Sequence, residues 1–177
     1  MAPPYRQTLI VLLAGMLLWL LAAQANHYLA RLGVQLWFGG LAITFSALRL
    51  SLREGLTATF LIGLAVDAVT PVAFGLHAIL FALAHIVIYN ARARFAREEA
   101  VIAVIVALLA NLALFLAVSF TQIADSPSPA HTWLRLFVDL IVSQTALTFI
   151  GPWFFALQRR ALEIAGARLQ DDPRRLI

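Results

Sequence analysis

The segment GLAVDAVTPVAFGLHAI, residues 63–79, places an acid, a proline and a histidine inside one of the most apolar parts of the chain. Proline cannot continue a helix, so Pro71 is predicted to lie in a short turn between two helices. Asp67 then lies near the end of the first helix of this hairpin, and His77 lies near the start of the second. The segment therefore predicts two helices joined by a tight turn, with an acid and a histidine on either side of it.

The composition indicates a membrane protein. Of 177 residues, 62% are hydrophobic and 12% are charged, whereas soluble domains have about half and about a quarter. All 13 basic residues are arginines, mostly in short connectors, where they are better explained as topology signals than as a nucleic-acid surface. Cysteine is absent, which excludes disulfides, thiolate catalysis and zinc–cysteine sites. We therefore expect one membrane domain over residues 1–177, with no nucleic-acid partner.

Six apolar runs predict six transmembrane helices, because about 17–25 apolar residues cross the hydrocarbon core of a bilayer. Their predicted boundaries are 8–28, 34–50, 55–69, 74–89, 100–120 and 133–157, and residues 160–177 are predicted to form a cytoplasmic tail. The third and fourth runs are short for complete spans, and only residues 70–73 separate them. The predicted fold class is an all-α polytopic membrane protein.

The distribution of arginine predicts the orientation. With the N-terminus in the cytoplasm, eleven arginines lie on the cytoplasmic side and two, Arg31 and Arg135, lie on the opposite side. This positive-inside bias requires an even number of crossings, because both ends of the chain carry cytoplasmic charge. The prediction is therefore six spans with both termini inside. The first run also imitates a signal peptide with a cleavage site at residues 23–25, but it exceeds the about 7–15 residues of a signal core.

Asp67 is the main candidate functional residue. Counted from Gly55, it lies about 18 Å along the third helix, past the middle of a hydrocarbon core about 30 Å thick. A charged carboxylate there is costly unless it faces a cavity or a partner, or is neutralised. One interpretation is a polar site for a ligand, a proton or a partner subunit. The other is a structural aspartate that caps the fourth helix or bonds His77, while Gly63 admits a neighbouring helix.

The remaining polar residues of the apolar runs have structural explanations. A proton relay needs several titratable groups along one path, and His85 has no obvious intramembrane acid beside it. Asn111 is expected to bond a neighbouring helix through its amide. Arg135 and Asp139 are four residues apart, so they either form a pair or leave Arg135 to reach the membrane interface.

Motifs for close helix contact are present, whereas motifs for catalysis are not. Gly40-x-x-x-Thr44 in the second run and Ala78-x-x-x-Ala82 in the fourth place small residues one turn apart, which permits close approach of helix backbones. The sequence contains no HExxH, GxSxG, CxxC or phosphate-loop pattern. We therefore predict no catalytic residue, no metal site and no cofactor.

The opening segment resembles the signature of the MreD family, the bacterial rod shape-determining membrane proteins. In that family a helix that ends in Gly-x-x-x-Asp is followed by a short turn and a Phe-Gly-Leu-His-Ala-type helix start. The corresponding residues, expected to be structural or partner-binding, are Gly63, Asp67, Pro71, Phe74, Gly75 and His77. The arginine-rich connector after the fourth run is also similar, and its predicted cytoplasmic basic surface consists of Arg92, Arg94 and Arg97. Residues 68–73 depart from the family, whose members more often have a glycine–serine turn before the proline.

The resemblance implies a non-enzymatic scaffold subunit of the cell-elongation complex, located as a multi-pass protein in the bacterial inner membrane. Its implied direct partner is MreC, which has a single span and a periplasmic domain. Beyond MreC, the resemblance implies the MreB filament and the RodA polymerase with its transpeptidase, together with membrane lipid.

The same resemblance supplies an alternative function. The family fold is likened to the substrate-binding subunits of energy-coupling-factor vitamin transporters, which are also six-helix proteins. Those subunits commonly carry Ala-x-x-x-Ala on their first helix, and this motif is missing here. The first run does offer polar groups for a ligand near its outer end, namely Gln24, Asn26 and His27.

Overall fold

The part of the chain that the structure describes is all-helical. The computed structural model describes residues 5–94, 100–124 and 128–166, and these ranges contain no β-strand. The α-helices are α1 (Tyr5–Leu29), α2 (Gly39–Arg49), α3 (Leu52–Asp67), α4 (Leu76–Ala91), α5 (Ala100–Ala124) and α6 (Pro129–Ile164). Short 3₁₀ turns follow two of them, Ala30–Leu32 after α1 and Arg92–Arg94 after α4.

Four of the described helices are long and apolar enough to cross a membrane. They are α1 and α4, each with the 3₁₀ turn that follows it, together with α5 and α6. The 25 residues of α5 reach about 37 Å, which exceeds a hydrocarbon core of about 30 Å. In contrast, the 11 residues of α2 reach about 16 Å and the 16 residues of α3 reach about 24 Å. Length and composition thus identify a helical membrane protein.

The second predicted span, 34–50, differs most from the observed helix. The 3₁₀ turn after α1 is followed by Gly33, which has a φ of 72°, and α2 begins only at Gly39. Residues 34–38, here called the entry segment, are irregular. The helical prediction fails there because side chains of other helices satisfy the backbone of these residues, as described below. Residues 167–177 of the predicted tail lie outside the described ranges.

Helix α2 is the centre of the bundle. Residues 39–48 are all buried, and α2 contacts each of the other five α-helices. A helix surrounded by protein must be apolar or small on every face. Its two buried hydroxyl side chains meet this requirement by bonding within the helix, Thr44 to the carbonyl of Gly40 and Ser46 to the carbonyl of Ile43.

Glycine is required at two helix crossings. A Cβ atom on Gly40 would lie 2.5 Å from the backbone oxygen of Ala107 in α5. A Cβ atom on Gly63 would lie 2.5 Å from the Cα atom of Ala78 in α4. Because backbone atoms cannot move aside as a flexible side chain can, any larger residue would force each helix pair apart. The small-residue spacing that begins at Gly40 therefore marks an intramolecular helix contact.

Candidate functional site

Asp67 is the last residue of α3, and its carboxylate bonds the start of α4. Oδ1 accepts a hydrogen bond from the backbone N–H of His77 at 2.9 Å and lies 2.8 Å from His77 Nδ1. Oδ2 accepts from the backbone N–H groups of Gly75 at 3.0 Å and Ala78 at 3.1 Å. An ionised carboxylate only accepts hydrogen bonds, so it matches four donors when Nδ1 of His77 carries the hydrogen.

This arrangement provides acceptors for the unpaired backbone N–H groups at the start of α4. The first N–H groups of an α-helix have no acceptor within the helix. Gly75 precedes α4 with a φ of 97° and has no side chain to provide a cap, so the acceptor must come from elsewhere. Asp67 provides it from the other arm of the hairpin, where a negative charge also interacts favourably with the helix dipole. Both contacts of the structural interpretation, the cap and the bond to His77, are present.

The other motif residues lie in two places. Gly63 is one turn before Asp67, at a close contact between α3 and α4. Pro71 lies in the exposed turn, and the Phe74 residue is 73% exposed. The structure therefore unites four of the six motif residues, Gly63, Asp67, Gly75 and His77, and leaves the other two at the surface.

His85 is a separate, fully buried histidine. It lies eight residues after His77, about 12 Å along α4. Its Nδ1 is 3.4 Å from the hydroxyl of Ser46, and its Nε2 has no hydrogen-bond partner among the described residues. A Cβ atom on Gly55 would lie 2.5 Å from the ring, so the ring occupies the space that this glycine leaves. No carboxylate in the described ranges pairs with His85, which is packed as a core residue.

Side chains of α1 and α6 hold the first half of the entry segment. Asn26 accepts from the backbone N–H of Leu36 at 2.7 Å and donates to its carbonyl at 2.9 Å. Oδ1 of Asp139 accepts from the backbone N–H of Gln35 at 2.8 Å. The Asn26 side chain thus bonds Leu36 in the way that a neighbouring strand would, so this backbone does not need to be helical.

Side chains of α5 and α6 hold the second half of the entry segment and the start of α2. The hydroxyl of Ser143 accepts from the backbone N–H of Trp37 at 3.0 Å. The amide oxygen of Asn111 accepts from the N–H of Gly40 at 3.1 Å, while its nitrogen donates to the side chain of Gln144 at 3.3 Å. The expectation that Asn111 bonds a neighbouring helix is confirmed, and the bond goes both to α2 and to α6.

These contacts explain polar residues that sequence reasoning treated one at a time. Irregular backbone at membrane depth is tolerated only where protein or water satisfies it. Asp139 serves that purpose, and in the described part of the chain it forms no ion pair with Arg135. The available signal was the pair Gly39-Gly40 inside the second predicted span, because two adjacent glycines disfavour a continuous helix.

A cavity of about 470 Å³ lies between the entry segment and the α3–α4 turn. Residues from the end of α1, the second half of α5 and the start of α6 complete its wall, so it lies where odd-numbered helices end and even-numbered helices begin. Its lining combines three aromatic residues, Trp19, Trp37 and Phe115, with seven polar ones, which are Asn26, Gln35, Thr70, His77, Ser119, Gln122 and Asp139. This combination is typical of a small-ligand site.

The predicted basic surface is only partly a free surface. Arg92 donates to the backbone carbonyl of Leu50 at 2.8 Å, and its guanidinium carbon lies 3.7 Å from the centre of the Tyr89 ring. It therefore ties the end of α4 to the end of α2. Arg94 is exposed, and Arg97 lies outside the described residues.

Comparison with known proteins gives no relative from which to transfer a function. No protein-family model, no curated protein and no solved structure matches the chain. The grounds for a functional proposal are therefore the residues of the chain and the geometry that they form.

Proposed function

We propose that this chain is a MreD-type subunit, a non-enzymatic scaffold of the bacterial cell-elongation complex that binds MreC and helps to organise lateral peptidoglycan synthesis. The main support for the proposal is that four of the six motif residues lie together where the end of α3 contacts the start of α4. Asp67 binds Gly75 and His77 directly, and Gly63 allows the two helices to meet. Asp67, Gly75 and His77 form one hydrogen-bonded unit, and Gly63 lies beside it where α3 contacts Ala78 of α4.

In this proposal the chain crosses the inner membrane six times, with both termini in the cytoplasm. The eleven-to-two distribution of arginines supports this orientation. Although α2 alone is too short to cross, the five residues of the entry segment add up to about 16 Å at about 3.3 Å per residue. Together with the about 16 Å of α2, this length is close to the about 30 Å of the hydrocarbon core.

The structure restricts where MreC would bind. The small-residue spacings of α2 and α4 are already used within the bundle, because Gly40 meets α5 and Ala78 meets α3. The single span of MreC would therefore pack against outward-facing apolar side chains, among which Phe149 and Trp153 of α6 are 72% and 80% exposed. Exposed arginines such as Arg94 would face anionic lipid or the MreB filament.

The test is affinity purification of the tagged chain from native membranes. Recovery of MreC at a fixed ratio supports the scaffold, and the recovered amount should fall when Phe149 and Trp153 are replaced together by alanine. Purification of a stable chain without MreC, under conditions in which other elongation subunits remain associated, would contradict the proposal. Proton-coupled uptake of a solute by the isolated chain in liposomes would contradict it as well.

The cavity favours a second candidate function, a substrate-binding subunit of an energy-coupling-factor vitamin transporter. Its volume is within the about 300–1,000 Å³ of small-molecule sites. Asn26, one of the polar residues expected to serve a ligand, lines it. The same purification separates the two functions, because a transporter subunit would be recovered with an ATPase, a coupling subunit and a bound vitamin.

A further inference from the structure

Asp139 is a buried acid whose hydrogen-bonding capacity is only partly used. It is 3% exposed, and its Oδ1 accepts from the N–H of Gln35. No described residue donates to Oδ2 or forms an ion pair with the carboxylate, although the residue lines the cavity. A buried charge is costly unless a partner compensates it. The cavity beside Asp139 therefore contains an acceptor that lacks a donor.

A second acceptor in the cavity is provided by His77. Its Nδ1 is engaged by Asp67, and with the hydrogen on Nδ1 the other ring nitrogen, Nε2, presents a lone pair. No described residue forms a hydrogen bond with Nε2, and His77 lines the same cavity as Asp139. In this tautomer the Asp67 contact leaves Nε2 as the ring atom that can accept a hydrogen bond from a ligand.

Three aromatic rings also line the cavity. The ring centre of Trp37 lies 6.1 Å from that of Phe115 and 6.5 Å from that of His77, and Trp19 also lines the cavity. Aromatic faces attract organic cations, tryptophan most strongly. A cation with N–H donors would use the carboxylate, the ring acceptor and the aromatic faces together, whereas the carboxylate would repel an anion.

We propose that the cavity binds a cationic group, a primary ammonium, with Asp139 as its counter-charge and His77 as a second acceptor. Arg135 lies one turn before Asp139, is exposed and does not line the cavity, so it opposes the ligand only through its long-range charge. The ammonium belongs either to a free amine or to the headgroup of an aminophospholipid. This inference goes beyond the scaffold function and does not depend on the recovery of MreC.

The first experiment compares three probes of the same shape on the purified full chain. Benzylammonium, benzyl alcohol and benzoate are titrated while tryptophan fluorescence reports on the cavity. We expect benzylammonium to bind about tenfold more tightly than benzyl alcohol, with benzoate weakest. Asp139→Asn should lower the affinity for benzylammonium to that for benzyl alcohol. Arg135→Gln should raise it, and Glu163→Gln, an exposed acid of the same helix, should leave it unchanged.

Equal affinity for the three probes would overturn the proposal, as would an unchanged affinity for benzylammonium in Asp139→Asn. If that variant fails to fold, Arg135→Gln decides between the outcomes. Removal of a positive charge near the cavity must raise the affinity for benzylammonium and lower the affinity for benzoate. Native mass spectrometry from phosphatidylethanolamine and phosphatidylglycerol nanodiscs then identifies the source. Selective retention of phosphatidylethanolamine indicates a lipid headgroup, benzylammonium binding without such retention indicates a free amine, and the absence of both overturns the inference.

Discussion

The two buried acids of the described helices, Asp67 and Asp139, have different environments, and this difference determines what each can do. The carboxylate of Asp67 contacts four groups at the start of α4, so nothing remains for an added ligand. Asp139 has one described contact and lines a cavity. Both residues lie in apolar helices, and their contacts distinguish a structural carboxylate from one that is available for binding.

Replacement of Asp67 tests the cap directly. In Asp67→Asn the side chain keeps one oxygen, so at least one backbone N–H of α4 faces an NH₂ group and loses its acceptor. We expect a loss of about 1–3 kcal/mol in the free energy of unfolding for Asp67→Asn, and a larger loss for Asp67→Leu, which removes all acceptors. Thermal unfolding in detergent measures both changes.

The matched control on the same hairpin is Phe74→Ala, since this side chain is exposed and should leave the unfolding temperature unchanged. The capping role would be wrong if Asp67→Leu unfolded at the temperature of the wild type. A Phe74→Ala variant that keeps its stability but loses MreC would assign this phenylalanine to the partner surface.

Glycine at residue 63 gives a second prediction at this scale. Alanine in place of glycine normally stabilises a helix interior by about 1 kcal/mol. In Gly63→Ala the added methyl meets the Cα atom of Ala78, so the sign should reverse and the loss should be about 1–3 kcal/mol. The control is Gly151→Ala in α6, whose Cβ would have ordinary contacts of 3.4 Å or more. Equal unfolding temperatures for the two variants would refute the close contact.

At the scale of elements, the entry segment and α2 behave as one unit. The backbone of this unit is bonded by Asn26 of α1, Asn111 of α5, and Asp139 and Ser143 of α6. Side chains of α1, α5 and α6 therefore bond the backbone just before and at the start of α2, the helix that the other five contact. Loss of one such contact should loosen the segment locally before it affects the bundle.

Asn26→Ala is the sharpest test of this unit. The change removes both side-chain bonds to Leu36, and we expect the amides of residues 34–38 to exchange with deuterium about ten- to a hundredfold faster, which corresponds to about 1.4–2.8 kcal/mol. The control is Gln24→Ala, an exposed residue of the same helix. Hydrogen–deuterium exchange of the entry segment measures the effect. Identical exchange in the two variants would show that the Asn26 contacts do not hold the segment.

Much of the fold could be predicted from the sequence, because apolar runs and their arginine-rich connectors report directly on helices in a bilayer. The hairpin at Asp67 could also be predicted, because its donors and its acceptor lie within 11 residues of one another. The entry segment was not, because its bonds to Asp139 and Ser143 join residues 104 and 106 positions apart. Hydropathy cannot distinguish a helix from irregular backbone whose partners lie that far along the chain.

At the scale of the whole molecule, the distribution of charge and the number of crossings must agree. The proposed topology of six crossings would place the 3₁₀ turn after α4 and the start of α6 on opposite sides of the membrane. An odd number of crossings between the two termini would separate arginines that the positive-inside rule places together.

The chain has no cysteine, so single cysteines can map this topology without background. We expect Ala130→Cys to react with a membrane-impermeant maleimide in intact spheroplasts. Ala93→Cys, which is exposed like Ala130, should react only after the inner membrane is permeabilised. Labelling of both residues from the same side would contradict six crossings with cytoplasmic termini.

The position of α2 in the bundle has a consequence for biogenesis. The side chains of Asn111, Asp139 and Ser143 that bond the start of this helix are synthesised 71 to 106 residues after the groups they bond. During translation the helix therefore leaves the ribosome with part of its backbone unsatisfied, and the lipid phase cannot provide substitutes. We expect the nascent chain to keep α2 at the insertase, or in a water-accessible site, until α6 has been synthesised. Chains truncated after α4 should accordingly be degraded by membrane quality control, even though they contain the complete Asp67 hairpin.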